Sequence, residues 1–259
     1  MRKIQFVMAF AVVLWLAQTA AADSISWGSA QTVTPTSDVL MGNVVDAYSF
    51  GPYNQSGTTI NGVYFAPFGV ANQTPVTDGN VTLYTSSGGV GGALVGVFSS
   101  PDAPFSSLGS SYDSLLGSAA YATGDNPSTQ PLTVTIAGLT AGTTYEVEVW
   151  VNDSRSCCGP TRTETLSGNN SPTLAFNVDQ SEGGVGQYAI GTFTANGPSE
   201  SFTITGTDSN INNANNASQI NGLEVVSVVP EPSPLALLAL GLLALTVTGL
   251  GKKHSPSVI

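Results

Sequence analysis

The run T-T-Y-E-V-E-V-W-V-N at 143–152 places Glu146, Glu148, Trp150 and Asn152 at alternate positions. On a strand these four share one face with Thr144, while Tyr145, Val147, Val149 and Val151 take the other. A tryptophan among carboxylates and an amide can act as a sugar platform: ring C–H groups stack on the indole while Glu and Asn bond hydroxyls. In the competing reading, Trp150 is covered by a second layer and only packs. Glu146 and Glu148 at i and i+2 stand about 7 Å apart, within the broad range of paired glycosidase carboxylates. A glycosidase, however, holds its acid and base on opposite sides of the bond, and these two point the same way. The chain's one histidine, His254, lies beyond its last apolar run, so the folded part has no Ser-His-Asp, Cys-His or histidine-zinc chemistry. No catalytic residue is assigned.

Beyond Asn152 the sequence runs through Asp153 and Arg155 into Cys157 and Cys158, with Arg162 and Glu164 following. Adjacent cysteines in an oxidising compartment can close a ring with each other, stay as thiols or link two chains; a vicinal disulfide stiffening a turn is favoured. The two arginines sit beside Asp153 and Glu164, which suits guanidinium forks that pin the loop to carboxylates, with ligand binding as the alternative. Asp208 opens D-S-N-I-N-N-A-N-N (208–216), whose oxygens could hold a structural Ca²⁺. It lacks the D-x-D-x-D-G order, so an ordinary Asn-rich turn is the other reading, and no further cofactor is expected.

The chain carries 17 acidic and 6 basic residues for a net charge of −11. One acid and four of the bases lie in the two ends, which leaves 23–229 at about −14. A surface this acidic excludes nucleic acid and anionic membrane as partners, and remains compatible with a neutral sugar or a divalent cation.

What must position these residues is a β framework. Segments 58–65, 81–84, 132–136, 143–151, 173–178, 188–194, 202–205 and 220–229 are rich in Thr, Val, Ile and Tyr and separated by Gly, Asn, Pro, Ser or Asp. Only 112–120 (YDSLLGSAA) suits a short helix, limited by Gly117. Many short strands without βα alternation predict an all-β, antiparallel, jelly-roll-like β-sandwich over 23–229. A single sandwich is preferred to two units divided at SSPDAP (99–104). Ile60-Asn61-Gly62 and Ile220-Asn221-Gly222 echo each other, which gains meaning if their strands are neighbours. Leu139, Gly142 and Tyr145 have the L-x-x-G-x-x-Y spacing that fibronectin type III modules also show, in which the tyrosine packs inside and its hydroxyl bonds back to the turn.

Both ends differ from this middle. Met1-Arg2-Lys3, the apolar run 4–16 and Ala20-Ala21-Ala22 describe a secretory signal peptide over 1–22, with an uncleaved anchor as the alternative. Residues 235–250 contain no charge, and sixteen residues reach about 24 Å as a helix. With flanking help from Pro234, Gly251 and the basic pair Lys252-Lys253, a transmembrane helix over 235–251 and a cytoplasmic tail over 252–259 are expected. Between domain and span stand Val229-Pro230-Glu231-Pro232-Ser233-Pro234, whose prolines hold the chain extended and open to a protease.

This arrangement resembles a PEP-CTERM sorting signal: V-P-E-P-S, a Leu/Ala/Gly span and a basic pair. The resemblance implies processing by exosortase near Pro230–Pro232 in a Gram-negative bacterium that makes exopolysaccharide. It implies an inner-membrane precursor, cleaved first by signal peptidase, then delivered to the cell surface or matrix. The tail departs from the family by running on from His254 to Ile259. More loosely, 132–229, with G-T-F-T-A (191–195) and the closing Q-I-N-G-L-E-V-V-S-V, resembles jelly-roll, galactose-binding-like or carbohydrate-binding modules. Three functions follow as expectations: a surface protein that binds glycan or exopolysaccharide, a structural or adhesive surface protein without a small ligand, and a glycan-active hydrolase.

Overall fold

A computed structural model describes residues 24–35, 39–123, 130–158, 161–208 and 217–228. Two sheets face each other as a β-sandwich. The larger has eight strands: β1 (Ser26–Trp27), β2 (Gln31–Thr32), β3 (Asn43–Pro52), β4 (Thr58–Ile60), β5 (Val63–Val70), β11 (Thr144–Val151), β14 (Gln187–Thr194) and β17 (Gly222–Ser227). Its order is β1-β14-β11-β17-β3-β5-β4, with β2 also on β14. The smaller is β13-β12-β15-β10-β7-β6, built from β6 (Val76–Asp78), β7 (Val81–Tyr84), β10 (Leu132–Ala137), β12 (Arg162–Leu166), β13 (Thr173–Ala175) and β15 (Ser199–Asp208). A small third sheet joins β8 (Val90–Gly92), β9 (Ala120–Ala122) and β16 (Gln219–Ile220). Pairing is antiparallel except between β3 and β5, which run parallel.

Period two builds the interior. Val147, Val149, Leu223 and Val225 from the larger sheet meet Leu83, Val134, Ile136 and Ile204 from the smaller, all fully buried. Each such side chain contributes about 1.5–3 kcal/mol by leaving water. Tyr145 is buried, and its hydroxyl oxygen accepts the Thr140 backbone N–H at 2.9 Å, the turn-locking bond that its spacing predicts.

Strands from both halves of the chain mix in each sheet: β3 pairs with β17, and β7 with β10. Residues 99–104 therefore lie within a single sandwich, leading into a 3-10 turn, Phe105–Leu108, and helix α1 (Ser110–Leu116). The helix begins two residues before the expected start and ends at Leu116, capped by Gly117, so the expected 117–120 part is not helical and Ala120 already belongs to β9.

Several elements differ from the sequence reading. Segment 58–65 is a hairpin, because Asn61 and Gly62 both take positive φ (49° and 91°), the geometry that a tight two-residue hairpin turn demands. Strand β3, ten residues between β17 and β5 in the larger sheet, was not foreseen. The Ile-Asn-Gly echo does not pair: β5 and β17 lie on either side of β3. The leader 1–22, the motif at 229–234, the span 235–251 and the tail 252–259 lie outside the described residues. Among the described residues, no helix is long and apolar enough to cross a membrane.

Candidate functional site

A second layer covers the outer face of the larger sheet, where the sugar platform was expected. Helix α1, the 3-10 turn, the β4–β5 hairpin, Val33 and Val39 close over it, and Trp150 sits at 0% exposure in the resulting apolar cluster. Phe65 meets the Trp150 ring edge-on at 5.5 Å and 81°, and Tyr188 packs beside it. Trp150, Glu148 and Asn152 are all buried, and only Glu146 keeps partial exposure. The face assignment holds, but the open platform of Trp150, Glu146, Glu148 and Asn152 does not form.

Asn152 holds loops together. Its backbone N–H donates to Asn221 Oδ1 (2.9 Å), its Nδ2 donates to Phe98 O (3.1 Å), and its Oδ1 accepts from Gly186 N (2.9 Å). Asn221 Nδ2 in turn donates to the Leu116 and Ser118 carbonyls, both at 2.8 Å.

Glu148 lies directly opposite Glu224 across the β11–β17 pair, and both are fully buried. Glu224 Oε2 accepts the Leu40 N–H at 3.0 Å. Burial pushes the Glu224 carboxyl up to about 7, against the pull of that N–H. Carboxyl groups so enclosed have no path to a glycosidic bond. Glu224 was missed in the sequence, although a lone glutamate in the apolar run L-E-V-V signals a buried carboxyl.

The arginines form the clamp expected of them. Arg155 Nε and Nη2 both donate to Asp153 at 2.8 Å, while Arg162 Nη1 donates to Asp153 Oδ2 at 3.2 Å. Arg162 Nη2 reaches Ala217 O and Gln219 Oε1, both at 3.1 Å, and its guanidinium lies 4.0 Å over the Phe176 ring. Burial lowers the Arg162 pKa and raises that of neighbouring Glu164, which accepts the Gln219 N–H. Both basic side chains of the described residues are thus paired with Asp153, Arg162 buried and Arg155 partly exposed.

Cys157 and Cys158 are joined as a vicinal disulfide on the surface. Glu182 accepts the N–H and hydroxyl of Ser156 beside it, each at 2.8 Å, and these bonds hold its carboxyl below the usual range. Among the described residues, no group of three or more His, Cys, Asp or Glu side chains is placed to hold a metal ion. The Asn-rich segment after Asp208 lies outside those residues.

An open groove of about 460 Å³ remains, lined by Ser99, Ser100, Ser106, Ser110 and Asp113 with Gly96 and Gly109 between them. Ser99 Oγ donates to Asp113 Oδ1. Phe105 borders the groove but is only 2% exposed, so it offers no stacking face. Its hydroxyls and one carboxylate can bond a small polar ligand.

These features define a mostly β sandwich in which buried polar side chains around an apolar core fix loops. No family model matches the chain, and no curated protein matches it. Among solved structures, the ANXUR1 extracellular domain from Arabidopsis thaliana is similar to 81% of this chain, with a TM-score of 0.43 and 12% identity. The alignment spans 54% of that structure's chain, about half its length.

Proposed function

We propose that this is an exported cell-surface or extracellular-matrix protein of a Gram-negative bacterium, sorted by a PEP-CTERM-like tail, whose sandwich binds glycan without catalysis. The reading gives the chain a signal peptide over 1–22, a jelly-roll-like domain over 23–229 and a processing motif at Val229, Pro230, Glu231, Pro232 and Ser233. The transmembrane helix 235–251 and basic tail 252–259 hold the precursor in the inner membrane until exosortase acts.

The observation that carries it is where the domain is tethered. β17 is flanked on both sides by β11 and β3, and Val228 N bonds Thr144 O at 2.9 Å as the chain leaves the sheet. The proline motif begins two residues later. Tension on such a leash falls on a strand with two paired neighbours, as suits a module held at a surface. Fractionation of the wild-type chain and a Pro230→Ala, Pro232→Ala variant tests the sorting. The wild type should appear, shortened, in the surface fraction while the variant stays full-length in the inner membrane; full-length wild type confined to the inner membrane overturns it.

A second reading, a structural or adhesive surface protein without a small ligand, draws on the burial of Trp150. Failure of the wild type to bind any matrix polysaccharide would favour it.

A further inference from the structure

The smaller sheet's outer face is unlike the rest of this acidic protein. Among the described residues, every outward strand position on it is Thr, Ser, Ala or Tyr. Thr77, Thr82, Thr135 and Ser201 form one row across β6, β7, β10 and β15. Tyr84, Thr133 and Thr203 form the next, and beyond β15 Thr205, Thr165 and Thr173 continue the array. Thr207 and Thr163 close it. Neighbouring strands stand about 4.8 Å apart and alternate residues about 6.7 Å apart, so the hydroxyls repeat in two directions.

Their orientation is fixed by each other. Oγ–Oγ distances are 2.9 Å for Thr77–Thr82, 2.8 Å for Thr135–Ser201, 2.7 Å for Thr163–Thr207 and 3.2 Å for Thr165–Thr173. One such bond uses one O–H and one lone pair, leaving a pair the capacity to donate once and accept three times more, except that in Thr163–Thr207 the Thr207 hydroxyl also donates to the Thr163 carbonyl. Eight of the hydroxyls are thus held in place before any partner arrives, which lowers the entropy cost of binding.

Resting on the glycan reading above, we propose that this threonine face is the docking surface for an uncharged polysaccharide, contacted as a repeating polymer. Three features select that occupant. A face without charge on a protein of net charge −11 neither attracts a polyelectrolyte nor suffers when a neutral chain desolvates it. A two-dimensional repeat of donors and acceptors matches a polymer of repeating hydroxyls better than a single sugar. Neighbouring strands twist by about 20–25°, so the array follows a saddle that a bendable polymer can track and a flat ice plane cannot. Tyr84, 46% exposed at the edge, adds a ring face.

The test is retention of the full-length chain, in mild detergent, on microcrystalline cellulose and on chitin, with alginate as the anionic counterpart. Wild type should be retained on at least one neutral polymer, not on alginate, and with little change in 1 M salt. Thr135→Val with Thr163→Val keeps shape and strand propensity but removes two hydroxyls, and should cut retention at least fivefold. Thr135→Lys should do the same, and Asn54→Lys, on an exposed turn elsewhere, should not. Thermal melting within a few degrees of wild type shows that each variant is folded. If wild type is retained but the face variants bind equally well, the face assignment is overturned and the glycan reading stands. If wild type is retained on neither polymer, both fall. If wild type reshapes growing ice crystals and the face variants lose that effect but not retention, the face belongs to ice and the polysaccharide assignment is overturned.

Discussion

Glu148 on β11 and Glu224 on β17 are direct cross-strand partners, both at 0% exposure, in a row flanked by Ile190 and Ala47. Burial of the Glu224 carboxyl opposes its anion, against the pull of the Leu40 N–H that it accepts.

The first prediction follows from Glu224, whose carboxyl rises from the ordinary 4.5 to about 7 through burial. The folded state then binds its proton more tightly than the unfolded chain, so this stability is present in full below pH 4.5 and is lost as pH rises towards 7 and beyond. The loss is on the order of 2 kcal/mol after allowance for solvent screening, or about 5 °C in Tm for a domain of this size. Glu164 is raised in the same direction. Melting scans should show Tm falling between pH 5 and pH 8 in the wild type, with a shallower fall in Glu224→Gln. A Tm that climbs over that interval contradicts the assignment.

Arg162 yields the second. It is 4% exposed, and its guanidinium joins Asp153, the Ala217 carbonyl and Gln219 above the Phe176 ring. Removing one member of a buried ion pair strands the other charge and costs about 3–5 kcal/mol. Arg162→Ala should therefore lower the urea midpoint sharply or abolish folding. Arg162→Lys should recover only part, because an ammonium cannot span carboxylate, carbonyl and amide as a planar fork does. Full recovery by lysine would show that charge alone matters.

Trp150 separates what the sequence discloses from what it withholds. Alternation along 144–151 placed Val147, Val149 and Val151 in the interior, and they are there. It also placed Trp150 and Glu148 on the opposite face, which is correct, but period two cannot say whether that face meets water. The cover comes from Ile60, Phe65, Tyr112 and Leu115, far away in sequence and on elements too short to announce their destination. The Tyr145 turn was legible because its chemistry is local, five residues from donor to acceptor. The Asn61-Gly62 turn carried an equally local signal that a strand reading of 58–65 passed over. The threonine face was present as T-V-T, T-E-T and T-I-T-G-T, yet only register aligns those triplets across strands.

The third prediction turns that correction into a measurement. Trp27 and Trp150 are 2% and 0% exposed. Emission from the signal-cleaved protein should be blue-shifted and resist quenching by iodide, and adding polysaccharide should leave it unchanged. Trp150→Ala should destabilise by about 3–5 kcal/mol. Ligand-dependent quenching of Trp150 would restore the open platform that the fold excludes.

The Cys157–Cys158 pair gives the last. Its sequence separation is one residue, so the bond closes almost no chain. A disulfide stabilises chiefly by restricting the unfolded ensemble, and that effect scales with the enclosed loop. The residues just before the disulfide are secured independently, Arg155 by Asp153 and Ser156 by Glu182. Reduction, or Cys157→Ser with Cys158→Ser, should therefore move Tm by no more than about 2 °C, on the order of 0.5 kcal/mol. Mass spectrometry of the one peptide containing both should show a gain of two hydrogens on reduction. Glu182→Gln weakens a charge-assisted anchor of the same turn and should raise amide exchange at Ser156 more than reduction does. Should reduction instead unfold the domain, the disulfide and not the Arg155–Asp153 and Ser156–Glu182 contacts would be holding this end of the sandwich together.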